Sequence, residues 1–146
     1  MYNLIGILIA GGFDTWNVLS VEVFVPETGL SCSLPNMTIS RSDFTLNGFL
    51  ACGGDVISSA SSGSRNCSLY NPRDQGWTLE AYQLSQWRGS HSSWTLTNGS
   101  VLLMGGSGDY LVNETDPWDM VHGITTELVT AGVGSVPSFN LKYQSE

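Results

Sequence analysis

The chain has 146 residues, of which 41% are hydrophobic and 12% charged, and its formal net charge is −8. That charge argues against nucleic acid and anionic membrane as partners, since both call for clustered Lys and Arg. The hydrophobic content and five tryptophans exclude a disordered chain, and no apolar run reaches the roughly 18 residues of a membrane-spanning helix.

In chain order, Met1 to Ala10 is apolar enough to pass for a signal-peptide core. It lacks a basic start, and Gly11-Gly12 makes a poor cleavage site, so it is read as a strand. A short loop from Phe13 to Leu19 follows, with Asp14 and Trp16. Ser20 to Phe24 is the next strand, closed by Pro26 and a Thr28-Gly29 turn. Ser42 to Leu46 leads into Asn47-Gly48, a strong hairpin signal, and then into an apolar strand ending at Gly53-Gly54. A serine-rich loop from Asp55 to Arg65 separates that strand from the hairpin of Asn66 to Tyr70 and Gly76 to Leu79. The order then recurs: Ser92 to Leu96, an Asn98-Gly99 turn and an apolar strand ending at Gly105-Gly106. After a long loop, Thr125 to Val129 and Ser138 to Tyr143 complete the series.

The organisation is an internal repeat. LIGILIAGGFD, NGFLACGGD and NGSVLLMGGSGD each join an apolar strand to a glycine pair and a nearby acid. The interval between pairs is close to the period of about 50 residues seen in one class of repeat protein. Each complete unit predicts four antiparallel strands. The glycines are assigned a structural role, allowing crowded backbones to approach; no GxxxxGK[ST] pattern or basic residue supports a phosphate loop.

These residues resemble the kelch repeat family, specifically the animal subgroup with cysteines near the double glycine and closing strands such as FNLKY. The likeness rests on Gly11, Gly12, Gly53, Gly54, Gly105 and Gly106, on Tyr70 and Trp77, and on HSSWTL and TTELV. The first and third units depart from it, lacking the Tyr…Trp spacing of the second. The resemblance implies an all-β fold: a single partial β-propeller domain over residues 1–146, with repeats at roughly 1–38, 39–86 and 87–146. About two full four-stranded blades and a partial one would make an incomplete ring. The chain is then either a fragment, the favoured reading, or a part of an oligomeric ring. Trp77, Trp87 and Trp94 are expected to pack between blades.

Three cysteines are present, without CxxC or Cys/His clustering, so zinc is not expected. Cys52 ends one strand and Cys67 begins its antiparallel neighbour, which predicts a disulfide between them and leaves Cys32 over. A disulfide implies an oxidising compartment. Sequons at Asn36, Asn66, Asn98 and Asn113 point the same way; Asn36 and Asn113 are the better glycosylation candidates. An extracellular, secreted location is expected, with cytoplasmic as the alternative.

Propeller loops, not packed sheets, carry binding. The long loop from Ser107 to Gly123 is the first candidate, through Asp109, Tyr110, Asp116, Trp118 and Asp119. Asp14, Trp16 and Asp55 would join it on one rim, where Asp14, Asp55 and Asp109 form an acidic arc. The aspartates either cap turns, meet a basic patch on a partner, or hold calcium; capping is the simplest reading, and no DxDxDG spacing supports calcium. Neither a catalytic residue nor a cofactor is expected. His91 and His122 stand apart, and there is no G-x-S-x-G elbow. The expected function is binding of an unidentified protein or glycan. Alternatives are a cytosolic kelch adaptor of a ubiquitin ligase or an actin-binding kelch protein, and, less favoured, a copper radical oxidase-like enzyme.

Overall fold

The computed structural model describes residues 6–55, 64–106, 125–130 and 134–140. Among these there is no helix, and therefore none long and apolar enough to cross a membrane. The strands form three open antiparallel sheets, none closed on itself.

The first sheet contains β1 (Ile7–Ala10), β4 (Val21–Val25) and β5 (Leu30–Leu34), in that order. Between β1 and β4 lies a separate small hairpin, β2 (Phe13–Asp14) and β3 (Trp16–Asn17). The second sheet runs β6 (Thr45–Asn47), β7 (Leu50–Cys52), β8 (Asn66–Asn71) and β9 (Gly76–Gln83). The third runs β10 (Ser92–Thr95), β11 (Val101–Met104), β12 (Thr125–Thr130) and β13 (Gly134–Asn140). Every neighbour pair is antiparallel, and within each sheet the strands lie in chain order, with the β2–β3 hairpin inserted between β1 and β4.

The register shows how closely the units correspond. Ile9 pairs with Glu22, Ala51 with Ser68, and Leu103 with Glu127, each two residues before a glycine pair. Side chains alternate across these strands, so each sheet offers two faces. Ala51 and Tyr70 join Val21, Met37 and Trp77 in a cluster between the first two sheets. Leu50, Cys52 and Cys67 point the other way, joining Leu84, Val101, Leu103 and Val129 between the second and third. The second sheet is thus covered on both sides, and β7 is buried along its whole length.

Two sequence expectations are corrected. The turn after β6 falls at Gly48-Phe49, one residue later than Asn47-Gly48. Asn47 is held in the strand by pairing with Leu50, and its side chain reaches Ser93 and Thr95 of the next sheet. Trp94 does not pack between sheets; it is 66% exposed. Trp77 does pack there, donating from Nε1 to the Pro35 carbonyl at 3.1 Å, with its ring 5.3 Å from Tyr70.

Candidate functional site

The segment Phe13 to Leu19, expected to be a plain loop, carries the β2–β3 hairpin. Phe13 pairs with Asn17 and Asp14 with Trp16, so a single residue, Thr15, makes the tip. Thr15 takes φ 51°, the left-handed conformation such a tight reversal requires. The hairpin is anchored at its base. Val18 donates to the Gly12 carbonyl at 3.0 Å, and Asn17 Nδ2 donates to the Asp55 carbonyl of the second sheet at 2.8 Å.

Anchoring leaves its aromatic rings outside. Phe13 is 69% exposed and Trp16 66% exposed. By the register Trp16 shares a face with Asp14 and Phe13 lies on the other, so each face of the pinned turn offers one large ring as contact area at low ordering cost. Asp14 is itself exposed. Asp55, tied by Asn17 to the same end of the molecule, pairs with Ser42 through two backbone hydrogen bonds. Its carboxyl is pushed above the usual range, by burial first and by the Asp43 charge second. The structure therefore brings Asp14, Trp16 and Asp55 to one end. Asp109, Tyr110, Asp116, Trp118 and Asp119, with Asn113, lie outside the described residues, so the proposed third member of the acidic arc does too.

Beneath this end is a buried polar layer that the motif reading missed. Arg41 is fully buried: its Nη1 donates to the carbonyls of Gly53 at 2.6 Å and Asn66 at 2.9 Å, and Nη2 to Ser68 Oγ at 3.1 Å. Burial lowers its pKa to about 10, which still leaves it charged at neutral pH. Arg88 repeats the arrangement in the third sheet. It donates to the Gly105 carbonyl at 3.1 Å and forms a 3.5 Å ion pair with the fully buried Glu127. Glu127 also accepts from the Ser85 amide and hydroxyl at 2.8 and 3.0 Å. Two of only five Lys and Arg residues are thus inside the protein. Their signal was present in the sequence: Met37-Thr38-x-x-Arg41 and Leu84-Ser85-x-x-Arg88 have the same spacing.

These arginine segments meet the glycine pairs. Gly12 N donates to the Arg41 carbonyl, and Gly54 N to the Arg88 carbonyl, each at 2.8 Å and each from one sheet to the next. A Cβ on Gly11 would lie 2.7 Å from the Arg41 carbonyl oxygen, and one on Gly53 2.5 Å from that of Arg88. At Gly11 and Gly53 the backbones therefore approach too closely for a side chain, whereas a Cβ on Gly12 or Gly105 would meet nothing within 4 Å. His91 follows Arg88 into the same junction. Its Nε2 shares a 2.8 Å hydrogen bond with Thr45 Oγ1, and burial, aided by the Arg88 charge, lowers its pKa to about 4.

Cys52 and Cys67 face each other across β7 and β8 and form the expected disulfide, with Cα atoms 4.1 Å apart. Cys32 is a free, exposed thiol on β5. Asn36 is exposed in the connection after β5, whereas Asn66 is partly buried within β8, where its carbonyl accepts from Arg41. Among the described residues no three His, Cys, Asp or Glu side chains converge as a metal site. No family model matches the chain, and neither does any curated protein.

Proposed function

We propose that the chain is a non-catalytic binding scaffold, built from kelch-type propeller blades, that recognises an extracellular protein or glycan through its loop rim. The observation that carries this reading is the β2–β3 hairpin, with Phe13 and Trp16 about two-thirds exposed on a turn hydrogen-bonded to Gly12 and to the Asp55 carbonyl. The exposed Trp16 ring on the same face as the Asp14 carboxylate suits a ligand with an apolar or sugar face and a nearby cation or hydroxyl. The blade reading is supported by three sheets of sequential antiparallel strands whose glycine pairs occupy equivalent places. The disulfide within the second sheet favours an oxidising, extracellular setting.

Arrays of extracellular proteins and of glycans, probed with the full chain and with a Phe13→Ser/Trp16→Ser variant, test this directly. The expected result is at least one saturable ligand whose affinity falls about tenfold or more in the variant, at unchanged thermal stability. Ligands bound equally well by both proteins would move the site elsewhere.

A further inference from the structure

The second and third sheets are each entered by a segment with the same internal design. An apolar plug, Met37 or Leu84, fills the gap between sheets; a hydroxyl residue follows, then an arginine, and then the opening strand β6 or β10. The hydroxyl and arginine meet one position on the receiving sheet. In the second sheet it is Ser68, bonded to Arg41 Nη2 and 3.3 Å from Thr38 Oγ1. In the third it is Glu127, bonded to Ser85 and Arg88.

The first sheet has the receiving side of this arrangement without the segment. Glu22 holds the register position of Ser68 and Glu127. Val21 beside it points into the core, so Glu22 faces the opposite side, against which no other sheet packs among the described residues. There its carboxylate has no cationic partner among the described residues. Ile9 is 45% exposed, while the equivalent Ala51 and Leu103 are both fully buried. A Cβ on Gly54 or Gly106 would strike the carbonyl of Ser42 or Gly89, whereas one on Gly12 would meet nothing within 4 Å. Along β1 the edge opposite β4 is unpaired among the described residues.

We propose that this open face and edge of the first sheet is a docking site for an arginine-bearing strand segment of the same type: apolar plug, Ser or Thr, two residues, arginine, then an extended strand. The strand adds to β1, its backbone packs over Gly12, its plug covers Ile9, and its guanidinium and hydroxyl bind Glu22. Both segments of this type within the 146 residues are already engaged, so the occupant comes from polypeptide outside them. A site that already holds a carboxylate in place selects arginine over other side chains, through charge-assisted hydrogen bonding.

The test uses the full chain and a labelled synthetic peptide with the sequence of residues Pro35 to Asn47, followed by fluorescence anisotropy. Saturable binding is expected, weakened tenfold or more both by Arg41→Gln in the peptide and by Glu22→Gln in the chain, with circular dichroism unchanged. Absence of saturable binding overturns the proposal, as does equal affinity for the glutamine peptide. So does self-association of the chain that excludes the peptide, which would put a second copy on this face.

Discussion

At the scale of single residues, the fold depends on polar side chains placed where sheets meet. His91 is neutral in the folded protein, with its pKa lowered to about 4 from 6.5. Between those values the unfolded chain binds a proton that the folded chain does not. The stability associated with neutral His91 is therefore complete above about pH 6.5 and declines as pH falls toward 4, by up to about 3 kcal/mol. Urea unfolding at pH 7 and pH 4.5 should show a smaller loss of stability in His91→Gln than in the parent chain. An identical pH dependence in the two would contradict the assignment. Arg88 and Glu127 form a buried pair, and removing one partner leaves the other uncompensated. Glu127→Leu should destabilise by about 3 kcal/mol or more, measured by chemical denaturation.

Glycine effects should also depend on what each residue touches. Gly54 has φ +86° and its missing Cβ faces the Ser42 carbonyl, while Gly12 has φ +112° with open space around it. Gly54→Ala therefore incurs both backbone strain and a clash, and Gly12→Ala only the strain of about 1–2 kcal/mol. The first variant should lose clearly more stability than the second; equal losses would mean that the close approach does not matter.

At the scale of elements, periodicity and turn chemistry made the strands legible. Apolar runs ending at Gly11, Gly53 and Gly105 became β1, β7 and β11, and the antiparallel step from Cys52 to Cys67 predicted the disulfide. The bond joins positions separated by 15 residues, and reduction should cost about 3 kcal/mol. A non-reducing peptide map should show Cys52 and Cys67 linked and Cys32 alone free. Less legible was the β2–β3 hairpin, because its strands are two residues long and Thr15, not glycine, takes the positive φ. The one-residue displacement of the Gly48-Phe49 turn arose because Asn47 is recruited by β10, a long-range contact that local turn preference does not encode. Trp94 was misplaced because an aromatic in a strand carries no label for the face it occupies.

At the scale of the whole molecule, each sheet is sealed to the next by the same three devices: a glycine backbone, an arginine segment and an apolar plug. The repeat in glycines was evident in the sequence, whereas the matching Met37-Thr38-x-x-Arg41 and Leu84-Ser85-x-x-Arg88 segments were masked by their different distances from the glycine pairs. Only the pairing of strands shows that both reach the same register position. This architecture makes the sheets one cooperative body and gives the β2–β3 hairpin, tied to Gly12 and Asp55, a fixed platform.

Amide hydrogen exchange at Gly12, Gly54 and Ser90 tests that claim most directly, because these N–H groups donate to Arg41, Arg88 and Asp43 across the junctions. Protection comparable to that of the β7 and β11 amides would show that successive sheets open only together. Rapid exchange at the three junction amides, with the strand ladders still protected, would mean that the sheets are independent and would contradict the account.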